Sequence, residues 1–303
     1  MVQAVAGTRW KKHGVQRSLL LSSRRVESGV SRNEPLVAGT GTPYRQIPMR
    51  VRGKWLLVLT PVVLLGLAHA DRDAESISNW RQASRASIGL APDPAVTPEP
   101  VVQVYAARAV RWRGYFGVHT WIAAKPAHAA AFTVYEVTGF AVRRGGSAVR
   151  VSQRPADGRW FGSAPVLLAD VRGAGVDHLI ARIERAVAAY PYPRSYRIWP
   201  GPNSNTFTAH VLREVPELRA DLPGHAVGKD YLGPRVFARS PSGTGLQANL
   251  FGVLGILGGV EEGLELNVLG ATVGIDPNDL GLKLPLVGRL GFGRRAVSPG
   301  NLP

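Results

Sequence analysis

Apolar and polar positions alternate with a period of two residues along much of the chain just after residue 100. Side chains alternate between the two faces of a β-strand, so this period predicts strands. The predicted strands are residues 101–106, 115–124, 132–140 and 148–153. In the second strand His119 and Trp121 fall on one face, whereas Val118 and Ile122 fall on the other. Turn residues between the strands indicate a meander.

The period then changes to that of a helix. Apolar residues follow helical spacing within residues 176–190, and Pro191 ends the pattern. A second helix begins near Ser204, with Phe207 and Leu212 on its buried face, and Pro216 ends it. We also predict a short helix over residues 165–171 and a short strand over residues 195–199.

The C-terminal third is apolar but interrupted by glycines. Residues 247–275 predict two Gly-rich strands joined by a tight acidic turn at Glu261-Glu262-Gly263, and residues 280–292 predict a last strand. The run 250–260 is too short to span a membrane, but it could dip into a membrane surface. Strands, then helices, then strands predict an α+β fold, in which an antiparallel sheet packs on helices and a Gly-rich β-hairpin follows at the C-terminal end.

Residues 49–70 have the pattern of an export signal. Arg50, Arg52 and Lys54 form a basic region, residues 55–67 are apolar, and Ala68-His69-Ala70 fits a cleavage site. The apolar run is shorter than the roughly 20 residues that span a bilayer, so a signal peptide is the first interpretation and an uncleaved N-terminal membrane anchor is the second. Either one predicts a location in the periplasm or in the inner membrane facing the periplasm.

These patterns divide the chain into five segments. Residues 1–48 are predicted to be disordered or a misassigned extension, and residues 49–70 a signal peptide or anchor. Residues 71–100 are a Pro-rich linker, with four prolines in residues 91–100. Residues 101–292 form a single α+β domain, and residues 293–303 a tail.

Composition and charge exclude several classes of function. The chain has no cysteine, which excludes disulfides, thiolate metal sites and a cysteine nucleophile. The net charge of +16 divides into +9 in residues 1–70 and +7 in the rest, where the basic residues are scattered. A dispersed charge without a basic run is typical of a solubilising surface, so we expect no nucleic-acid partner. The histidines have no metal-ligand spacing and no loop has a nucleotide-binding pattern, so we expect no metal and no cofactor.

The candidate chemistry lies in the segment Pro-Gly-Pro-Asn-Ser-Asn-Thr-Phe, residues 200–207. Ser204 stands where a helix begins, and backbone N–H groups there favour negative charge, so it is a candidate nucleophile. His119, held in a strand, is the candidate base, and Glu136 or Tyr135 on the next strand could orient its ring. Lys229 is an alternative base. The structural alternatives are an ordinary helix cap at Ser204 or Asn203 and a hydrogen-bonded core histidine.

Several sequence blocks resemble an uncharacterised bacterial envelope family, domain of unknown function (DUF) 3750. The blocks are FGVHTWIAAKP, TVYEVTGF, GRWFG, AYPYP, WPGPNSNTFTAHVLREVPEL, GKDYL, PSGTG and GLELNVLG. The resemblance covers roughly residues 101–289. The resemblance implies an N-terminal hydrophobic segment and no established activity.

The same segment also resembles, more distantly, the permuted papain-like proteins: cell-wall peptidase relatives of the NlpC/P60 type, lecithin–retinol acyltransferase and the desumoylating isopeptidases. In those families a strand histidine precedes a helix that begins with the nucleophilic cysteine. Asn203-Ser204-Asn205-Thr206-Phe207 is similar to the cysteine block, with Ser204 at the cysteine position. A hydroxyl is a weaker nucleophile than a thiolate near neutral pH.

Two functions follow from these observations. The first is a serine-dependent hydrolase or acyltransferase on amide or ester bonds in the cell envelope, with Ser204 as nucleophile, His119 as base and Glu136 or Tyr135 as orienting residue. Its oxyanion or substrate contacts would come from Asn203, Asn205, Thr206 and Lys229. The alternative is a catalytically inactive papain-like domain for binding or scaffolding. Partners would be an envelope peptide, glycan or lipid, and the membrane through residues 55–70.

Overall fold

A computed structural model of the chain describes residues 82–278 and 280–291. The predictions for residues 1–48, 49–70 and 293–303 lie outside the described residues. The helices are α1 (Val176–Ala188) and α2 (Ser204–Glu214). The strands are β1 (Val101–Arg108), β2 (Val118–Lys125), β3 (Thr133–Val137), β4 (Val149–Gln153), β5 (Val166–Arg172), β6 (Phe237–Arg239), β7 (Gly245–Leu250), β8 (Leu254–Gly259), β9 (Gly263–Val268), β10 (Ala271–Asp276), β11 (Gly281–Leu284) and β12 (Gly288–Leu290).

The first five strands form one antiparallel sheet in the order β4-β3-β2-β1-β5. The predicted meander is therefore present, and β5 adds to its far edge by pairing with β1. The predicted short helix over residues 165–171 is wrong, because these residues form β5. A run of seven residues is too short for periodicity to separate a strand from a helix.

Both helices pack against one face of this five-stranded sheet. The apolar stripe of α1, which includes Ile180 and Ile183, and the buried side of α2, which includes Phe207 and Leu212, share a core with Val104 and Ile122. The predicted helix over residues 176–190 is confirmed as α1. The predicted strand over residues 195–199 is wrong, because Arg197 N–H donates to Pro202 C=O and the segment turns back on itself.

The opposite face of the five-stranded sheet carries a second, aromatic core. Tyr105 and Trp121 stack there, and Trp160 and Phe161 cover them. Residues 82–91 also belong to this layer, since the Asp157 carboxylate accepts hydrogen bonds from the backbone N–H groups of Ile88, Leu90 and Ala91. The linker prediction is corrected for these residues, which a buried carboxylate fixes to the domain.

The remaining strands form a seven-stranded antiparallel sheet in sequential order from β6 to β12. The C-terminal region thus contains more strands than the single predicted hairpin. The turn at Glu261-Glu262 is present between β8 and β9, but the reversals at Phe251-Gly252 and Leu269-Gly270 were not predicted. The predicted last strand over residues 280–292 is wrong as a single strand, because a reversal at residues 285–287 divides it into the antiparallel strands β11 and β12. A bulky residue with positive φ before the glycine departs from the usual Asn-Gly signal of a hairpin.

The observed class is α+β, with β-sheets predominating. Neither helix found between residues 82 and 291 is long and apolar enough to cross a membrane.

The two faces of the seven-stranded sheet have opposite chemistry. Its inner face carries Gln247, Asn249, Glu265, Asn267 and Lys283, all of them buried. Its outer face, as we call it from here on, carries only apolar side chains in its interior. These are Leu246, Leu250, Leu254, Ile256, Leu264, Leu266, Val268, Val273, Ile275, Leu282 and Leu290, and Phe237 lies on β6 at the edge. Each of these twelve residues is between 38% and 76% exposed.

Candidate functional site

Asn203, rather than Ser204, is the N-cap of α2. Its Oδ1 accepts hydrogen bonds from the backbone N–H groups of Asn205 (2.9 Å) and Thr206 (3.2 Å). Thr206 Oγ1 accepts in return from the Asn203 N–H at 3.1 Å, which completes a reciprocal capping arrangement. The Asn203 amide also donates to the carbonyl oxygens of Ile198 and Val227. One side chain therefore connects the start of α2 to two loops.

This cap occupies the predicted oxyanion donors. A hole for an oxyanion needs N–H groups that point to an open position. The N–H groups of Asn205 and Thr206 instead point to Asn203 Oδ1. The Asn205 side chain is used as well, because its Nδ2 donates to the carbonyl oxygens of Val118 and Val227. The predicted oxyanion role of Asn203, Asn205 and Thr206 is therefore replaced by a structural one.

Ser204 and His119 lie on opposite faces of the five-stranded sheet. On β2, Thr120 faces α2 and donates to Asn205 Oδ1 and Thr208 Oγ1. His119 precedes Thr120 and therefore points the other way, where its ring stacks on Trp160 with 3.6 Å between ring centroids. Ser204 is the buried first residue of α2, on the side of Thr120. The predicted Ser204–His119 pair is consequently wrong, since the sheet separates the two side chains.

His119 instead belongs to a buried ionic cluster within the aromatic core. Its Nε2 lies 3.0 Å from Glu136 Oε2, and Arg154 donates to the same oxygen at 3.3 Å. Burial alone would raise the pKa of Glu136, but the hydrogen bond from His119 and the nearby guanidinium groups of Arg154 and Arg150 lower it to about 2. Burial lowers the pKa of His119. Glu136 does contact His119 as predicted, and the contact stabilises a core.

Tyr135 and Lys229 do not join this cluster. The Tyr135 hydroxyl is on the helix side of the sheet and donates to Glu184 at 3.2 Å, so it does not orient His119. Burial alone would lower the pKa of Lys229, but the carboxylates of Asp230 and Glu265 raise it above its usual range. The ion pairs with Asp230 and Glu265 favour the protonated form of Lys229, which does not suit the predicted role as a base.

Lys229 is part of an ion-pair network beneath the seven-stranded sheet. Glu265 on β9 bridges Lys229 and Lys283. Lys283 also contacts Asp221 at 2.7 Å, and Arg289 joins Asp221 to Asp276. Because Lys229 and Asp221 come from the loop after α2, the network connects the inner face of this sheet to the rest of the protein.

Within residues 82–278 and 280–291, no group of three or more His, Asp or Glu side chains is arranged to hold a metal ion. The largest exposed apolar surface formed by a single sheet in that part of the chain is the outer face. An exposed apolar patch of this extent on a protein surface usually marks an interaction site. The outer face is therefore the candidate functional site.

Comparison with protein families agrees with the six sequence blocks from FGVHTWIAAKP to GKDYL, whereas PSGTG and GLELNVLG lie beyond the matched residues. Residues 99–231 match the model of a family described as a protein of unknown function, DUF3750. This region is a DUF3750 domain. The match contains the five-stranded sheet, both helices and Lys229, and it stops before β6. No curated protein and no solved structure matches the chain. The seven-stranded sheet thus follows the DUF3750 match rather than forming part of it.

The extent of the outer face was not predicted from the sequence, which indicated only that the run 250–260 could dip into a membrane surface. The signal was present, since Leu264, Leu266 and Val268 alternate with buried Glu265 and Asn267 along β9. Alternation alone does not say which face is buried, and an apolar face is normally assigned to the core. The acidic and amide residues between the leucines were the indication that the polar face packs inward.

Proposed function

We propose that this chain is an envelope protein whose DUF3750 domain binds rather than cleaves, and that it docks on a membrane surface through the outer face. The observation that carries the proposal is the outer face itself, an antiparallel sheet surface of exposed Leu, Ile and Val side chains. Burying apolar surface stabilises an interface by roughly 25 cal/mol for each Å2 removed from water. A dozen such side chains therefore represent a large unused driving force for docking.

The chemistry of the outer face favours acyl chains over a protein partner. Protein interfaces combine an apolar centre with polar groups and hydrogen bonds. The interior of the outer face offers no hydrogen-bonding side chain, because every polar residue of strands β7 to β10 there faces inward. The basic side chain present, Arg239, lies on β6 at the edge, where phosphate head groups would meet a docked sheet.

The predicted export signal or anchor supports the same location. Residues 55–67 would bring the chain to a membrane on the periplasmic side, and the described residues begin fifteen residues later, at residue 82. An extended chain spans up to roughly 3.5 Å per residue. That reach is sufficient for the domain to lie on the surface of the membrane in which its N-terminal segment is held.

We also propose that the domain has a permuted papain-like fold without catalytic activity. Its support is the chain order, in which a strand with His119 precedes a helix that begins with Asn203-Ser204-Asn205 and packs on that strand. Ser204 and His119 are separated by the sheet, so the scaffold would serve for binding. Covalent labelling of Ser204 by a fluorophosphonate probe in folded protein would contradict this interpretation.

The absence of cysteine from the chain allows a direct test. Leu266 lies on the central strand β9 of the outer face and is 51% exposed, and Val151 on β4 is 54% exposed but belongs to the other sheet. Leu266→Cys and Val151→Cys are each labelled with an environment-sensitive fluorophore in the full chain. Vesicles are prepared with and without brominated acyl chains. We expect a blue shift and bromine quenching at position 266, and neither at position 151.

Two results would overturn the membrane proposal. One is the same emission at both positions with and without vesicles. The other is a blue shift at position 266 that needs no lipid and grows with protein concentration, because this would show that two copies cover each other's outer faces.

A further inference from the structure

A cavity of about 210 Å3 lies between one side of α2, the segment that follows α1 and the edge strand β6. Three tyrosines line it, and four basic side chains surround them. The tyrosines are Tyr190, Tyr192 and Tyr231, and the basic residues are His210, Arg213, Arg235 and Arg239. Glu214 is the one acidic residue among the lining residues. The arginines therefore outnumber the carboxylates in the lining.

The three arginines have no carboxylate partner in the part of the chain that the structure describes. Arg213 Nε donates to the carbonyl oxygen of Arg239 at 3.0 Å, and its Nη2 donates to Gln247 Oε1 at 2.6 Å. Both acceptors are uncharged, and no ion pair of Arg213, Arg235 or Arg239 is found among residues 82–278 and 280–291. Burial lowers the pKa of Arg213 to about 10, and the charges of Asp230, Glu262 and Glu214 act in the opposite direction.

The Tyr190 hydroxyl is a second unsatisfied group in the same cavity. Tyr190 is 3% exposed, and its buried hydroxyl has no hydrogen-bond partner. A buried hydroxyl without a partner costs roughly 1–3 kcal/mol. His210 is different, because its Nε2 lies 3.0 Å from the Ala186 carbonyl oxygen. Burial lowers the pKa of His210 and so disfavours the charged form of its ring.

The cavity borders the outer face. On β6, Ala238 is paired with Gln247 of the inner face, whereas Arg239 is paired with Leu246 of the outer face. Arg239 thus lines the cavity and also stands at the margin of the apolar surface. A group held in the cavity would lie at the edge of whatever covers the outer face.

We propose that this cavity binds the phosphate group of a small phosphomonoester, either a soluble compound or a lipid head group. Arg235 and Arg213 would donate to the phosphate oxygens, since guanidinium groups form strong charge-assisted hydrogen bonds with phosphate. Tyr190 would donate its hydroxyl to the same ligand, and the faces of Tyr192 and Tyr231 would flank the carbon part. Phosphate binding does not depend on membrane docking, because the ligand would lie in the cavity rather than on the outer face.

Calorimetric titration of the full chain in a nonionic detergent with sn-glycerol 3-phosphate tests the proposal, with glycerol as the uncharged control. We expect saturable binding of the phosphate compound and none of glycerol. Arg235→Gln should weaken binding at least about tenfold, because one charge-assisted hydrogen bond is lost. Tyr190→Phe should weaken it about fivefold without lowering stability, since this hydroxyl has no partner to lose.

The matched control is Arg144→Gln, which removes one exposed arginine that does not line the cavity. Its binding should equal that of the unmodified chain. The absence of binding to the unmodified chain would overturn the proposal. An equal loss of binding in the Arg144 and Arg235 variants would also overturn it, since that result would indicate a general effect of charge.

Vesicles distinguish the two sources of phosphate. If phosphatidylcholine vesicles containing phosphatidic acid compete with glycerol 3-phosphate and pure phosphatidylcholine vesicles do not, the phosphate belongs to a lipid head group. If neither competes, the cavity takes a soluble phosphomonoester. Both results support the site, and because the titration itself contains no vesicles, its outcome is separate from that of the membrane proposal.

Discussion

The five-stranded sheet buries apolar side chains on both faces, whereas the seven-stranded sheet buries polar side chains on one face and exposes apolar side chains on the other. Ile122 on β2 is completely buried, while Leu266 on β9 is about half exposed. Both sheets obey the same two-residue alternation. The comparison shows that the alternation sets the two faces apart, and that the rest of the molecule decides which face becomes the interior.

The two sheets also differ in what attaches them to the protein. The five-stranded sheet is held by apolar contacts with α1 and α2 on one face and with aromatic side chains on the other. The seven-stranded sheet is held largely through amide and charged side chains of its inner face, with Glu265 at the centre. Buried ion pairs are costly to break, because the remaining charge is left without a partner.

Among the changes predicted here, removal of Glu265 should lower the free energy of unfolding most. Glu265→Ala leaves the ammonium groups of Lys229 and Lys283 short of a counter-charge in a buried position, so we expect the free energy of unfolding to fall by about 3–5 kcal/mol. Urea denaturation followed by tryptophan fluorescence measures it. The control is Glu99→Ala, an exposed carboxylate, with an expected change within about 0.5 kcal/mol. Equal effects in the two variants would mean that the network contributes little.

Truncation of one aliphatic side chain on each sheet tests the difference in burial directly. Ile122→Ala should lower the free energy of unfolding by about 2–4 kcal/mol, because it leaves a cavity in a packed core. Leu266→Ala should lower it by less than about 1 kcal/mol in the absence of lipid, since that side chain is already half in water. If the Leu266 variant lost as much as the Ile122 variant, the outer face would already be covered in solution.

A smaller effect is expected from acid on the His119–Glu136 cluster. The pKa of Glu136 is lower in the folded protein, at about 2, than in an unfolded chain, so its stabilisation is present above roughly pH 4.5 and is lost as the pH falls toward 2. Between pH 5 and pH 3 the loss of stability that comes from Glu136 amounts to about 2 kcal/mol. Glu136→Gln should reduce the stability at neutral pH and flatten its decline over that interval. A decline of unchanged steepness would assign the acid sensitivity to other carboxylates.

Much of the five-stranded sheet and α1 could be predicted from the sequence, because apolar residues alternate clearly along most of the strands and follow helical spacing along α1. The prediction even separated His119 from Val118 and Ile122 on β2. It could not determine on which of these two faces α2 would pack, since that depends on contacts such as Thr120 with Asn205 that are distant in sequence. The proposed dyad failed at this step, although both residues were placed on the correct elements.

The seven-stranded sheet was harder to predict for a different reason. Its turns at Phe251-Gly252 and Leu269-Gly270 carry bulky residues at positive φ, so they lack the usual turn signals. The strands themselves are short, and glycines interrupt their alternation. The unpartnered outer face also violates the expectation that apolar residues are buried, and such violations are expected where a protein interacts with something else.

The cap of α2 restricts which amino acid the chain can carry at position 203. The Asn203 side chain accepts two hydrogen bonds through its oxygen and donates two through its nitrogen, to Ile198 and Val227. Serine, threonine and aspartate cap helices well, but none of them offers two donors. An aspartate would set a negative charge against two carbonyl oxygens, and a glutamine is one methylene too long for a site closed by Gly228. Asparagine is therefore selected here for its two-sided hydrogen bonding, which a helix cap by itself does not require.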